Sequence, residues 1–518
     1  MKKRLLCMLL LLSIVFACAF PASADEYDDL RQQMLDSFMM EGMLDISQYG
    51  LTVMEVQEIY DALYHSGQMP WYADEDCDYV FGEGQTVKKF RPKVLNPKIY
   101  DRDLYEQKLA ELIAETCLPE MTDWQKALSV HEYIVLHTIY DVELMKNTGY
   151  DSLVDGSTVC YGYSMLYMDV MNRLGIPCQI VIAPDTGDGY GHAWNVVQLD
   201  GRWYHVDATW ADPVPDVYGF SMHEFFLKTD VEFREGEEPH DFSWDALVEV
   251  TEESFKEDDF LEEVYSAVCF LDANTAVFRR EKGSHCTVVS RDLTTGEETV
   301  LQDFYRKEMS LGRGWYLYPT YGLNVWNGRI YYNRENQVMS MLPDGSDLQE
   351  VYSRDTDDRY IIGAMVDKGV LYLTLANHDG EMEREEVALE GVEFHTHSYE
   401  KQLVFATCRE DGYRQMACQC GVAYNRTVIP RIDHLMTTTV EKAPTQTQAG
   451  VTCRSCINCD YKEYEFPPAL PAPVTEEAEP EPEPVMPIWI PAVSAAAVAA
   501  VVILVILLAA GKKRRRMP

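Results

Sequence analysis

The pattern of apolar and polar positions divides the chain into a helical part, a mixed part and a strand-rich part. Apolar residues recur at three- and four-residue spacing over 27–42 and 53–65, which predicts two helices. A further apolar run, 160–174, ends at a Gly-Ile-Pro sequence that is typical of a helix C-terminus. Over 260–390, short runs rich in β-branched and aromatic residues alternate with turn signals such as Asn327-Gly328. This texture predicts a β-rich region of four-stranded meanders that resemble propeller blades, with a sandwich or an open sheet as the alternatives.

A tight hairpin is predicted near the middle of the chain. The residues on both sides of Asp200-Gly201 alternate as half-buried strands do, and this dipeptide is a strong signal for a two-residue turn. The turn would pair Leu199 with Arg202. In that register His192 and Asp207 are diagonal neighbours on one face of the sheet. The carboxylate would then be placed to orient the imidazole.

A cysteine accompanies this predicted pair. Cys160 follows Asp155–Thr158, a polar segment that suits a helix start, so we expect its thiol in the first helical turn. The partial positive charge at a helix N-terminus favours a thiolate, and the backbone N–H groups there can bind an oxyanion. A lone cysteine on an apolar helix is more often a small buried hydrophobe. The combination with His192 and Asp207 instead favours nucleophilic catalysis.

The sequence blocks around these residues resemble the transglutaminase-like superfamily of papain-like cysteine enzymes, in its exported bacterial branch. The blocks are GSTVCYGYSMLYMDVMNRLGIPC and GHAWNVVQLDGRWYHVDATWADP, with DWQKALSVHEYIVLHTIYD upstream and FFLKTD and His240–Trp244 downstream. The resemblance covers roughly residues 30–245 and implies an α+β catalytic domain. It implies that Cys160 is the nucleophile, His192 the general base and acid, and Asp207 the group that orients the histidine.

The resemblance implies a cysteine peptidase or a transglutaminase-like acyl transferase, which acts on a protein or peptide substrate through an acyl-enzyme. Hydrolysis is favoured over cross-linking because no amine-binding or calcium-binding loop is recognisable in the sequence. Catalysis is expected to need no cofactor. The alternative is a catalytically silent scaffold of the same fold that binds cell-wall or host ligands, and the reactivity of the Cys160 thiol distinguishes the two hypotheses.

Both ends of the sequence resemble targeting signals. Residues 1–24 combine a basic start, an apolar stretch and Ala22-Ser23-Ala24, which is typical of a secretory signal peptide. Residues 488–510 are apolar and uncharged, and the basic segment 511–518 follows them. This combination predicts a transmembrane helix with a cytoplasmic C-terminus. We therefore expect a single-pass protein of a bacterial cell membrane whose N-terminal bulk is extracellular.

Acidic residues dominate the composition. The chain has 44 Lys and Arg against 85 Asp and Glu, a net charge of −41. Such a charge repels phosphates and argues against nucleic acid as a partner, whereas a substrate associated with the cell wall is compatible with it. Residues 467–487, rich in proline and glutamate, are expected to form an extended spacer.

Histidines and closely spaced cysteines recur over 395–466 as an internal repeat. His397 precedes the first group of cysteines and His434 precedes the second. The candidate ligands for a structural zinc ion are Cys408, Cys418, Cys420, Cys453, Cys456 and Cys459. Tetrahedral zinc suits close cysteine pairs and would stabilise a module too small for a good core. Disulfides are an equal alternative because the region is expected to be exported.

These observations predict eight consecutive segments. They are a signal peptide (1–24), a helical lead-in (25–95), a transglutaminase-like domain (96–250), a β-rich region (260–390), a Cys/His-rich module (395–466), a spacer (467–487), a transmembrane helix (488–510) and a basic tail (511–518).

Overall fold

The computed structural model of the protein describes most of the chain between residues 27 and 471. The described residues are 27–183, 191–235, 240, 244, 248–256, 260–261, 263–311, 314–317, 321–355, 359–389 and 395–471. The predicted signal peptide, most of the predicted spacer, the predicted transmembrane helix and the basic tail lie outside them.

The prediction of a C-terminal transmembrane helix is corrected here. Within the described residues no helix is long and apolar enough to cross a membrane. The longest described helices have 15 residues, whereas a bilayer span takes about 20. The prediction relied on the hydropathy of 488–510, which the structure does not describe. The fold class therefore loses its transmembrane helix, and the single-pass membrane localisation that depended on it is withdrawn.

The described α-helices lie in the first half of the chain. They are α1 (Asp28–Asp36), α2 (Val53–His65), α3 (Arg102–Thr116), α4 (Asp123–His137), α5 (Gly149–Leu153), α6 (Cys160–Arg173) and α7 (Asp230–Glu235). Side chains at the N-termini explain several of the starts. Thr52 and Glu55 form a reciprocal capping box at α2, and Asp101 accepts a hydrogen bond of 3.1 Å from the backbone of Leu104 at α3.

A small sheet accompanies the first two helices. The strands β1 (Leu44–Asp45), β2 (Ala73–Phe81) and β3 (Val87–Val94) are antiparallel, in the order β1-β3-β2. The helical lead-in therefore ends at α2, and the rest of that segment is a β-hairpin. Its turn contains Gly84 at φ 76°, a left-handed conformation that glycine adopts easily. Phe90 of β3 packs in one core with Leu30 and Tyr60 of the two helices.

A four-stranded antiparallel sheet lies beside α6. Its strands are β6 (Cys178–Ala183), β7 (His192–Leu199), β8 (Arg202–Val206) and β9 (Phe226–Lys228), in sequential order. A short parallel pair, β4 (Ile139–Tyr140) and β5 (Ser157–Thr158), precedes α6. Tyr167 and Met171 of α6 share a buried core with Val197 and Val206 of the sheet. This packing fixes the first turn of α6 relative to β7 and β8.

The predicted register of the β7–β8 hairpin is confirmed. Leu199 pairs with Arg202, as expected from the turn between them. Asp200 has φ 51° and Gly201 has φ 78°, the two positive values that a type I′ turn requires.

The chain after about residue 260 is largely β. The next strands are β10 (Cys269–Asp272), β11 (Thr275–Lys282), β12 (His285–Asp292), β13 (Glu298–Tyr305), β14 (Glu308–Leu311), β15 (Gly314–Leu317), β16 (Leu323–Trp326), β17 (Arg329–Arg334), β18 (Gln337–Met341), β19 (Gln349–Ser353), β20 (Arg359–Asp367), β21 (Val370–Asn377) and β22 (Met382–Ala388). β10–β13 and β16–β19 are four-stranded meanders of the predicted kind, β20–β22 is a three-stranded meander, and β14 pairs with β15.

Two three-stranded meanders follow. The first contains β23 (Tyr399–Val404), β24 (Gly412–Cys418) and β25 (Ala423–Ile429), and the second contains β26 (Met436–Lys442), β27 (Val451–Cys456) and β28 (Lys462–Glu465). The polypeptide forms two compact units that divide after Arg431. The first meander therefore belongs to the larger N-terminal unit, and the second belongs to the C-terminal unit.

Candidate active site

Cys160 is the first residue of α6, and its side chain is partly exposed. The preceding residue, Val159, is extended (φ −92°, ψ 177°), and its N–H donates a 3.0 Å hydrogen bond to the carbonyl oxygen of Lys146. The chain therefore enters the helix in a fixed direction. The N–H of Gly162 donates to the carbonyl oxygen of Val159 at 2.9 Å. The N–H groups of Cys160 and Tyr161 are therefore the candidates to bind an oxyanion beside the thiol.

His192 and Asp207 meet where β7 begins and β8 ends. His192 is 7% exposed and Asp207 is fully buried. The Nε2–H of His192 donates a 2.5 Å hydrogen bond to the Oδ2 of Asp207. This contact is the one that the hairpin register predicts. The imidazole also hydrogen-bonds with the Cys160 thiol, and since Nε2 meets the carboxylate, Nδ1 is the nitrogen left for the sulfur.

The environment of His192 favours the imidazolium. Burial alone would lower the pKa of His192, but the negative charge and hydrogen bond of Asp207, together with the contact to Cys160, raise it to about 10. The imidazole is therefore protonated at neutral pH. A cation at this position stabilises a thiolate on the neighbouring sulfur.

Asp207 is held as an anion by four hydrogen bonds. Its Oδ1 accepts from the backbone N–H groups of Thr209 (2.9 Å) and Trp210 (3.1 Å). Its Oδ2 accepts from His192 and, at 2.8 Å, from the Nε2–H of His240. Burial would raise the pKa of Asp207, but the charge of His192 and the hydrogen bonds of both histidines hold it well below its usual range. The carboxylate is therefore oriented from both sides.

His240 is a residue of the site to which the sequence assigns no role. It lies in the segment that resembles the downstream end of the family, and this position is the only sequence signal for it. The ring is buried between Phe233 and Trp210, whose ring centroids lie 3.9 and 4.0 Å from its own. Burial lowers the pKa of His240 despite its hydrogen bond to Asp207, which favours a neutral ring that donates one hydrogen bond.

Aromatic side chains enclose the imidazole. The ring of Trp194 stacks on that of His192 with centroids 5.6 Å apart, and Trp210 lies at 5.8 Å on a tilted plane. The indole N–H of Trp194 donates a 2.9 Å hydrogen bond to Nδ1 of His205, whose Nε2 lies 2.7 Å from Asp230. These contacts restrict the rotation of the rings that hold His192 in place.

Tyr140 is a further polar group beside the thiol. It lies on β4, opposite Thr158. Burial and the negative charges of Cys160, Asp141 and Asp207 raise the pKa of its phenol, which therefore keeps its proton. A neutral phenol can donate a hydrogen bond at this position.

The candidate zinc ligands divide into groups that differ from the predicted set. Cys418 and Cys420 lie together with His395 and His397 in the larger unit, and Cys456 and Cys459 lie together with His434 in the C-terminal unit. Cys453 belongs to neither group, and Cys408 is buried and does not belong to the first. Both groups therefore combine cysteines of the predicted set with histidines. None of the cysteines in the described chain forms a disulfide.

Part of the chain matches a known family. Residues 108–208 match the model of the Transglutaminase-like superfamily. This range contains Cys160, His192 and Asp207. The resemblance stated from the sequence blocks is confirmed: a transglutaminase-like domain is followed by a largely β remainder.

Two curated proteins are similar to the same part of the chain. Kyphoscoliosis peptidase from Homo sapiens is 30% identical over 162 residues, and its counterpart from Mus musculus is 29% identical over 160 residues. Each match covers 27% of this chain. The chain spans only 24% of the length of these relatives.

The solved structures that match part of the chain include that of a TGase, at 15% identity and a TM-score of 0.19, over 33% of this chain and 49% of that one. A candidate cysteine protease from Cytophaga hutchinsonii is similar at 15% identity and a TM-score of 0.17, over 27% of this chain and 64% of that one.

Proposed function

We propose that the transglutaminase-like domain of this chain is a thiol enzyme that cleaves amide bonds of a protein or peptide through an acyl-enzyme on Cys160. The observation that carries the proposal is the continuous contact from the thiol through His192 to the buried carboxylate of Asp207. A thiol in a structural core has no need of an imidazolium beside it. This arrangement instead supplies a nucleophile, a proton donor and an orienting group.

The reaction begins with attack of the Cys160 thiolate on the substrate carbonyl carbon. A C–S bond forms, and the carbonyl oxygen becomes an oxyanion near the first-turn N–H groups of α6. The oxyanion collapses, the C–N bond breaks, and the imidazolium of His192 gives its proton to the departing amine. An acyl-enzyme and a neutral His192 result.

The second half of the reaction returns the enzyme to its starting state. Neutral His192 takes a proton from water, and the resulting hydroxide attacks the thioester carbonyl. The C–S bond breaks, which releases the carboxylic acid and leaves the thiolate beside the imidazolium. An amine in place of water would give a new amide, the cross-linking reaction. Hydrolysis is favoured because the curated relatives are named as a peptidase.

Selective alkylation tests the nucleophile. The purified chain is treated with iodoacetamide between pH 4 and pH 9, and each modified cysteine is located by mass spectrometry. Cys160 is expected to react fast below pH 7, and His192→Ala should slow that reaction. Cys77 is the internal control because burial raises the pKa of its thiol to about 12, so it should react slowly over the same range.

The outcome separates the two function classes. Selective modification of Cys160 that depends on His192 supports the enzyme. A Cys160 that reacts no faster than Cys77, or that is indifferent to His192, overturns it and leaves a binding scaffold. Incubation with peptides, with and without added primary amine, then distinguishes hydrolysis from transfer through the mass of the product, and Cys160→Ala is the inactive control.

A further inference from the structure

We propose that His395, His397, Cys418 and Cys420 form a structural zinc site that closes one end of the β23–β25 meander. Zinc and its ligands would hold the segment before β23 against the turn between β24 and β25. The ligand set joins the C-x-C pair to His397, which precedes that pair in the repeat, and to His395. It is independent of the reaction proposed for Cys160.

The strand pairing brings the four residues together. His395 and His397 precede β23, Cys418 ends β24, and Cys420 lies in the turn before β25. Tyr399, at the start of β23, pairs directly with Cys418. An H-x-H segment and a C-x-C segment therefore meet at the same end of two neighbouring antiparallel strands.

The distances fit tetrahedral coordination. Nε2 of His395 lies 3.3 Å from Sγ of Cys418, and Nδ1 of His397 lies 3.3 Å from Sγ of Cys420. One ligand atom from each of the four residues lies within 4.8 Å of all the others. Zinc–sulfur and zinc–nitrogen bonds of about 2.3 and 2.1 Å at a tetrahedral angle separate ligand atoms by about 3.4–3.8 Å, so small movements of the side chains suffice.

The chemistry of the ligands selects the metal. Two thiolates and two imidazoles in a tetrahedron are the soft and borderline ligands that zinc prefers, whereas calcium and magnesium take oxygen. Zinc binding would release the thiol protons to solvent as two S–Zn bonds form.

The meander needs such a cross-link because it has almost no core. Over 395–431 the described apolar side chains that are buried are those of Cys408 and Cys418. Leu403, Phe405 and Val428 are more than half exposed. A three-stranded sheet without a buried apolar face is marginal in water, and small domains of this kind commonly depend on a metal or a disulfide. None of the described cysteines forms a disulfide, and the Cys/His group at the end of the strands offers a metal cross-link instead.

Polar contacts join the meander to α3. The hydroxyl of Tyr399 donates to Glu111 at 3.2 Å, and the amide of Asn425 donates to Asp103 at 2.9 Å, both on α3. Partly exposed polar contacts of this kind contribute about 1 kcal/mol each. They position the meander on α3, and the contact of Tyr399 lies at the end where the four ligands meet.

Metal content of the full chain tests the site. The chain is purified without chelator and its zinc is measured by inductively coupled plasma mass spectrometry. Cys420→Ser and His397→Asn should each lower the zinc content by one equivalent relative to the wild type. Cys77→Ser and His285→Asn are the matched controls, since the first removes a thiol and the second an imidazole outside the group. Neither control should change the zinc content. The zinc content of each variant is compared with that of the wild type, so zinc bound elsewhere in the chain does not affect the difference.

A rescue variant excludes a purely structural effect. Cys420→His replaces one zinc ligand with another and should keep the equivalent that Cys420→Ser loses. Cobalt(II) exchanged into the wild type should show the thiolate charge-transfer band of a tetrahedral site, weakened in Cys420→Ser. Three results would overturn the proposal. They are an unchanged zinc content in both Cys420→Ser and His397→Asn, a wild-type chain that binds neither zinc nor cobalt, and a Cys418–Cys420 disulfide in the purified chain.

Amide hydrogen exchange distinguishes failure of the zinc proposal from failure of the reaction proposed for Cys160. Removal of zinc by a chelator should increase amide hydrogen exchange in β23–β25 and leave exchange in β6–β9 unchanged. The alkylation rate of Cys160 should also be unchanged. Unchanged exchange in β23–β25 after zinc removal would contradict a structural role, whatever the reactivity of Cys160.

Discussion

His240 donates a 2.8 Å hydrogen bond to the same Oδ2 atom of Asp207 that accepts the hydrogen bond of His192. The carboxylate thus lies between two imidazoles with opposite shifts, because the pKa of His192 is raised to about 10 and that of His240 is lowered. The charged histidine faces the thiol, and the neutral one supports the carboxylate from behind. The two histidines therefore have different roles at Asp207.

The charge of Asp207 is the main support of the imidazolium. In Asp207→Asn we expect the pKa of His192 to fall from about 10 to below the ordinary value of about 6.5, because burial then acts without a compensating anion. Nuclear magnetic resonance of histidine labelled with ¹³C at Cε1 would measure this titration. The signal is assigned by its loss in His192→Gln. A His192 that titrates alike with and without the carboxylate would contradict the charge pair.

His240 should act as a positioning residue. In His240→Phe the aromatic contacts with Trp210 and Phe233 are retained, but Asp207 loses one hydrogen bond. A hydrogen bond to a charged group contributes about 1.5–3 kcal/mol, so the alkylation rate of Cys160 should fall by roughly tenfold to a hundredfold. The pH at which that rate is half-maximal should also shift, which a loss of packing alone would not produce. An unchanged pH profile would mean that His240 only fills space.

The pair of His192 and Asp207 makes stability depend on pH. The folded pKa of His192, about 10, exceeds the unfolded value of about 6.5, so the folded state binds more protons between these values. The stabilisation is complete below pH 6.5 and is lost as pH rises through 10, with a limiting slope of about 1.4 kcal/mol per pH unit.

Denaturant unfolding of the wild type and of His192→Gln between pH 6 and pH 10 would measure that slope as a difference. The free energies of unfolding of the two proteins should converge as pH rises. A difference that is constant over this range would exclude a protonated His192. Stability should also fall in acid because the folded pKa of Asp207 is depressed. That loss of stability should occur only as pH falls below the ordinary range of a carboxyl group.

The half of the site that local sequence determines was predictable. The Asp200-Gly201 turn sets the register, and the register alone places His192 diagonal to Asp207. The Gly-Ile-Pro sequence and the polar residues before Cys160 indicate both ends of α6. At the turn and at the end of α6 neighbouring residues select one conformation, whereas the start of α6 has no side-chain cap and follows the pairing of β5 with β4.

The remaining features depend on contacts between distant segments. His240 reaches Asp207 across 33 residues, and its own sequence surroundings do not indicate the contact. His395 meets Cys418 only because β23 pairs with β24, and spacing within the cysteine motif cannot reveal a ligand from another strand. The β2–β3 hairpin follows helices whose periodicity ends at His65. The predicted helical lead-in extends over this hairpin because the sequence offers no boundary between them.

The start of α6 is packed too closely for any side chain at Gly162, two residues after Cys160. A Cβ there would lie 2.0 Å from Oγ1 of Thr158 and 2.7 Å from the carbonyl oxygen of Thr148. Gly162→Ala should therefore displace the first turn, which would destabilise the fold by about 1–3 kcal/mol and slow alkylation of Cys160. Since the backbone of Thr148 cannot withdraw as a side chain can, Thr158→Ala should rescue Gly162→Ala only in part. Thermal unfolding and alkylation of both single variants and the double variant measure the coupling. Full recovery of stability in the double variant would place the clash at Thr158 alone. A Gly162→Ala variant with unchanged stability and unchanged alkylation of Cys160 would show that the helix start is not packed as the structure describes.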